Sequence, residues 1–276
     1  MIYRRCTPKP PLDTLIGCFW FADGFEGSHV FERLLPNGES GIVIDLRDDP
    51  VRIYDGQNID KFESYAPAIF CGARTDCFVI DTSRQERVIG IQFRPGGAFP
   101  FLRMPAHEAA NVTLALDDIW PGEVMLLREE LLAAPSVEKM FAILERSLLT
   151  RLSEAATLAP AVAFAARCLG GRNPGLRVAD VADRVGMTSR RFMDTFRDQT
   201  GLSPKSFQRV RRFQHVLNAL HLRGPQLWDG NFAALASDCG YYDQPHFIHD
   251  FRHFSGLTPG EYLAIATRHQ NHVPLA

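Results

Sequence analysis

One segment in the C-terminal part of this chain is written twice, and the duplication limits the possible folds more than any other feature. Ala179-Asp-Val-Ala182-Asp-Arg-Val185-Gly186 returns 54 residues later as Ala233-Ala-Leu-Ala236-Ser-Asp-Cys239-Gly240. Phe192, Phe196, Gly201, Ser203, Pro204 and Phe207 return 55 residues later as Phe247, Phe251, Gly256, Thr258, Pro259 and Tyr262, so one residue is added in the turn between. Each copy predicts a helix, a tight turn and a second helix. Ala182 and Ala236, four residues before their glycines, let the second helix approach closely, and Gly186 and Gly240 suit a turn that needs positive φ. Thr188 or Ser189, and Asp243, cap the second helices, and Pro245 is tolerated in a first turn whose N–H has no intrahelical partner. The phenylalanine pairs, spaced i, i+4, bury one face of each second helix before Gly201 and Gly256 end it. Between the copies, Phe207, Val210, Phe213, Val216, Leu217 and Leu220 keep helical spacing behind Ser203 and Pro204, which predicts a connecting helix over 204–220.

The first 95 residues follow a different period. Short apolar or alternating runs at 18–21, 30–35, 41–46, 77–80 and 88–93 predict strands, separated by Pro36-Asn-Gly38, Asp48-Asp-Pro50, Asp55-Gly56 and Pro95-Gly-Gly97. From Pro121 the spacing turns helical: Val124, Leu127 and Leu131, then Val137, Met140, Phe141, Leu144, Leu148 and Leu152 behind Ser136 as N-cap. A chain of 276 residues, 46% hydrophobic, has material for two cores. The expectation is an α+β protein. Residues 1–152 form a β-rich, barrel-like domain with two following helices, 153–159 a linker, 160–268 an all-α domain with two helix-turn-helix units joined by a linker helix, and 269–276 a tail.

Charge is divided between these parts. Residues 160–276 hold 14 Lys and Arg against 9 Asp and Glu, whereas residues 1–159 hold 16 against 23, so a chain of net charge −2 conceals a basic C-terminal part. His215, His221, His246, His249, His253, His269 and His272 lie in that part and add charge when protonated. The six cysteines (6, 18, 71, 77, 168, 239) show no Cys-x-x-Cys spacing, and most of them are expected as small buried residues. No apolar run reaches the length of a membrane span, so a cytoplasmic protein with no membrane partner is expected.

The second copy, Gly-Tyr-Tyr-Asp-Gln-Pro-His-Phe-Ile-His-Asp-Phe-Arg-His-Phe-Ser-Gly-Leu-Thr-Pro-Gly-Glu-Tyr at 240–262, resembles the signature of the AraC/XylS family of bacterial transcriptional regulators, and 186–207 resembles its weaker first copy. The resemblance covers 160–268. It implies a sequence-specific regulator that inserts the second helix of each unit into the major groove of duplex DNA. It also implies an N-terminal domain that answers to a small-molecule effector or forms a homodimer, and RNA polymerase as a partner if the protein activates. Residues 1–152 do not match the sugar-binding version of that domain closely enough to carry a ligand over.

A helix that buries Phe192 and Phe196 presents Arg190, Arg191, Met193, Asp194 and Arg197 on its exposed side. Its counterpart presents Pro245, Ile248, His249 and Arg252, with Gln244 and His246 at the entering end. Arg forks onto guanine, Gln onto adenine, and His donates to guanine or phosphate, so Arg190, Gln244, His246 and His249 are the candidate base readers. Arg197, Lys205, Arg209 and Arg252 suit phosphates. The family commonly carries Arg where this chain has Asp194 and His249. Asp194 either accepts from cytosine N4 or pairs with Arg190 one turn away.

No nucleophile elbow, P-loop, His-Glu-x-x-His or dinucleotide fingerprint is present, and neither an enzyme nor a cofactor is expected. A metal- or redox-responsive sensor with the same DNA-binding domain is the alternative, because His246, His249 and His253 share a helix face. In the N-terminal part, Trp20, Arg33, Asp45, Arg74, Arg84 and Arg94 beside apolar strands are the candidate ligand residues, and Pro95-Gly-Gly97 offers backbone N–H groups to an anion.

Overall fold

The computed structural model describes residues 2–24, 30–47, 49–83, 87–152, 157–173, 176–223, 230–267 and 269–275. Arg84, Asp48 and residues 153–156 of the expected linker lie outside them. The strands run as β1 (Ile2–Cys6), β2 (Ile16–Asp23), β3 (Phe31–Leu34), β4 (Gly41–Asp45), β5 (Val51–Asp55), β6 (Phe62–Tyr65), β7 (Ala68–Cys71), β8 (Phe78–Asp81), β9 (Arg87–Phe93), β10 (Thr113–Ala115) and β11 (His272–Leu275). They form two antiparallel sheets, ordered β1-β2-β9-β4-β7-β10 and β11-β3-β8-β5-β6. The sheets do not close on one another, so the barrel expected from sequence is an open pair, with β1 and β10 at the edges of one sheet and β11 and β6 at the edges of the other.

Alternation decides which face of the first sheet is covered. Phe19 and Phe21 of β2, Ile42 and Ile44 of β4, and Ile89, Ile91 and Phe93 of β9 share one core cluster with the helices that follow. Those helices are α1 (Leu116–Ile119), α2 (Val124–Ala133) and α3 (Val137–Leu152), which contribute Leu127, Leu131, Met140, Phe141, Leu144 and Leu148. Removal of this apolar area from water holds the layer together. Arg128 of α2 is buried as well, its guanidinium donating to the carbonyls of Asp45 and Arg47 at the end of β4.

The helical part contains α4 (Pro160–Gly170), α5 (Val178–Arg184), α6 (Ser189–Thr200), α7 (Pro204–Arg223), α8 (Phe232–Asp238), α9 (Gln244–Ser255) and α10 (Pro259–Ile265). The caps fall where the repeat puts them: Thr188 Oγ1 accepts from the Arg191 N–H, and Asp243 from the His246 N–H. Gly186 and Gly240 sit at φ +67° and +78°, which closes the turn between the helices of each unit. Helix α7 belongs to two cores. Phe207, near its start, packs with Phe192 and Phe196 of α6; Val210, Phe213, Val216, Leu217 and Leu220 pack with Phe247, Phe251 and Phe254 of α9.

The sequence boundary between the two parts is not a boundary in packing. Residues 272–275, expected as tail, form β11 and pair antiparallel with β3 through His272↔Leu34, Val273↔Arg33, Pro274↔Glu32 and Leu275↔Phe31. Val273 is 1% exposed and, with Leu35 from the end of β3, belongs to the core of α7 and α9. Four consecutive residues with buried Val273 among them suffice for edge pairing, a non-local choice that local sequence pattern does not encode.

Candidate DNA interface

Helix-turn-helix geometry requires the second helix of each unit to be buried on one side and free on the other. Both are. On α6, Phe192 and Phe196 are buried while Arg190, Arg191, Met193, Asp194 and Arg197 are exposed. On α9, Phe247, Phe251 and Phe254 are buried, His249 and Arg252 are exposed, and Gln244 and His246 are partly exposed at the entering end. Among the described residues, Arg190, Arg191, Arg197, Lys205 and Arg252 make no ion pair or side-chain hydrogen bond, which leaves their charges available to an anionic partner. Asp194 likewise has no ion pair there, so the pairing with Arg190 weighed from sequence is not formed.

Arg209 has a different position from the one expected of a phosphate ligand. It points across to α9, where its guanidinium donates to Asp250 Oδ1 at 2.7 Å and lies 5.4 Å from the centre of the Phe254 ring. Asp250 is 2% exposed, so this charge pair ties the linker helix to the second recognition helix from behind. Sequence reasoning passed over Asp250, although it falls on the face shared by Phe247, Phe251 and Phe254, and a carboxylate on a buried face requires a partner.

The N-terminal candidates do not converge on one site. Trp20 lies over Gly90 of β9, where an added Cβ would stand 2.3 Å from the indole. Arg33 donates to the Ser255 carbonyl at the end of α9 (3.1 Å). Asp45 is buried, accepts from the Arg47 N–H, and has its pKa pushed up to about 6 by loss of hydration. Arg74 donates to the Asn111 carbonyl and to Thr113 and lies over Phe78. Arg94 donates to the Asp13 carbonyl. Each is committed to a separate structural contact. The turn at 95–97 is a packing element: a Cβ on Gly97 would meet the Leu15 carbonyl at 1.8 Å, and one on Gly96 would meet Leu158 at 2.8 Å.

The N-terminal part instead presents residues to α7. Gln214 donates to the Pro36 carbonyl (2.8 Å) and to Asn271 (2.9 Å), and Arg211 donates to the Asn37 carbonyl (3.2 Å) and faces Glu39 at 3.6 Å. Burial pushes the Glu39 carboxyl up, and Arg211 and the Gln92 side-chain amide pull it back. A second contact joins His107 to Asp198 of α6 at 2.9 Å, and a third joins His272 to Glu32 at 2.7 Å. All six cysteines are free, Cys6 exposed and Cys18 buried. Among the described residues no group of three His, Cys, Asp or Glu is placed to hold a metal, and no helix is long and apolar enough to cross a membrane.

Two helix-turn-helix units on one shared helix, each with a free basic face, define a DNA-binding transcriptional regulator. A family model described as a helix-turn-helix domain matches residues 181–265, and this part of the chain is a helix-turn-helix domain. Residues 4–115 match a domain of unknown function (DUF6597). No curated protein matches the chain in sequence. Among solved structures, ToxT from Vibrio cholerae O395 is similar at 9% identity, over 91% of this chain and 97% of that one, with a TM-score of 0.45. The C-terminal domain of AraT, a response regulator from Geobacillus stearothermophilus, is similar at 19% identity over 40% and 88%, with a TM-score of 0.35. The DNA-binding domain of AdpA, in complex with a target DNA, is similar at 26% identity over 38% and 86%, with a TM-score of 0.31.

Proposed function

We propose that this chain is a sequence-specific transcriptional regulator that reads two adjacent major-groove segments, one through α6 and one through α9, under control of its N-terminal part. The observation that carries the reading is the pair of exposed stripes on α6 and α9, held by a linker helix common to both cores. Arg190, Gln244, His246 and His249 are the base readers; Arg191, Met193 and Asp194 flank the first segment; Arg197, Lys205 and Arg252 contact phosphates. Arg209 acts behind α9.

Control reaches the DNA-binding helices through α7. A small-molecule effector or a second copy that shifts the turn at 36–39 acts on Arg211 and Gln214, and so on the relative placement of α6 and α9. The test is titration of the full chain against duplex DNA at several salt concentrations. Affinity is expected to fall steeply with salt, because each neutralised phosphate releases counterions. A folded chain with no affinity for duplex DNA at low salt would refute the reading.

A further inference from the structure

The two recognition helices differ in what stands behind their exposed residues. At the positions 55 residues before His246 and Asp250, the first copy has Arg191 and Thr195, so α6 itself has no carboxylate at the position of Asp250. Behind α9, Asp250 is 2% exposed and holds Arg209 through Oδ1 at 2.7 Å, while its Oδ2 is buried with no hydrogen-bond partner among the described residues. The Nε2 of His246, one turn earlier on the same helix, stands 3.7 Å from Oδ2, and the Tyr241 hydroxyl beside it is also buried without a hydrogen-bond partner among the described residues. His249 approaches from the other side, its Nδ1 3.9 Å from Oδ1. The remaining neighbours are Tyr241, edge-on to the His246 ring at 5.3 Å, and Arg212, 5.1 Å from the Tyr241 ring.

A buried carboxylate oxygen without a donor is costly, and rotation of the His246 ring over a fraction of an ångström supplies one. An imidazole that gives one N–H to a carboxylate has its ring plane and its other nitrogen fixed by that bond. Building on the function proposed above, we infer that Asp250 is a positioning residue for DNA readout: it anchors α9 to α7 through Arg209 and aims His246, through Nε2, so that Nδ1 faces the groove. His246 then meets a base edge as a preset acceptor when neutral or donor when protonated. The α6 segment is read by arginines without such support.

Asp250→Asn tests this, because the amide keeps an oxygen acceptor for Arg209 while it removes the charge that holds His246. The full chain is measured on a duplex that the wild type selects from a random pool, and on two duplexes scrambled in one segment each. The variant is expected to unfold at nearly the wild-type temperature, to lose about tenfold in affinity for the selected duplex, and to lose base preference in the α9 segment only. With His246→Ala and the double variant, the losses are expected to be non-additive, since both remove one interaction. Additive losses, an unchanged preference in the α9 segment, or an equal loss of preference in both segments would overturn the assignment. Failure of the wild type to select any duplex would instead refute the proposed function, so the two failures are distinguishable.

Discussion

Moving the two segments of the operator apart challenges the linker directly. Helix α7 has 20 residues and spans ~30 Å at 1.5 Å per residue. Side chains near its start and at its middle belong to different cores: Phe207 stands 5.6 Å from Phe196, and Phe213 stands 5.2 Å from Phe251 and 5.1 Å from Phe254. Sliding either unit along α7 would empty one of these clusters, at about 3–5 kcal/mol for each phenylalanine unseated. The units therefore keep their separation and read segments about 10 to 10.5 bp apart on one face of the duplex. Inserting ~5 bp between the segments turns one of them roughly half a turn away. Inserting ~10 bp restores the face but adds ~34 Å, more than the whole length of α7. Either insertion removes one unit from its bases, and with two or more base contacts at about 1–3 kcal/mol each the loss is at least ~2 kcal/mol, roughly thirtyfold. The assay is a competition titration of the full chain on the three duplexes, with self-association excluded by sedimentation. Undiminished affinity after the ~10 bp insertion would refute the rigid linker, even if both units bind DNA.

Three further outcomes are expected. Arg190→Ala should cost about 1–3 kcal/mol on the selected duplex and relax its α6 segment, while Lys205→Ala should weaken selected and random duplexes alike; equal losses for Arg190→Ala on both would remove it from base reading. Truncation after Thr267 deletes β11, buried Val273, the Asn271 partner of Gln214 and the Gln270 partner of Tyr262, and calorimetry should show at least ~2 kcal/mol of lost stability and a single transition divided in two. Asp45 keeps its proton more tightly when folded, so its contribution is complete below pH ~4 and is lost as pH rises through about 6. Asp45→Asn should thus raise the melting temperature above pH 6, by up to ~2 kcal/mol in stability, and leave it little changed near pH 4; a lower melting temperature at pH 7 would contradict the desolvation argument.

What the sequence made legible follows the range of the interactions involved. Caps, turns and the faces of α6, α7 and α9 are fixed within a few residues, and Thr188, Asp243, Gly186 and Gly240 stand as read. Strands at 41–46 and 88–93 were legible because Ile42, Ile44, Ile89 and Ile91 alternate against a covered face. Pairing between distant segments was not. Nothing local in His272-Val-Pro-Leu275 announces β3 as its partner, and the joining of two sequence domains through Leu35 and Val273 depends on that pairing. The N-terminal arginines were misread for a related reason. Arg33, Arg74 and Arg94 resemble pocket residues in sequence, yet each satisfies a backbone carbonyl brought to it by the fold.

The central claim, that α6 and α9 read DNA as a pair, is tested most directly by a chemical footprint of the full chain on its selected duplex. The expected result is two protected major-groove segments of unrelated sequence, about 10 to 10.5 bp apart on one face, for a single bound chain. One protected segment only, or protection with no sequence preference in either, would contradict the claim.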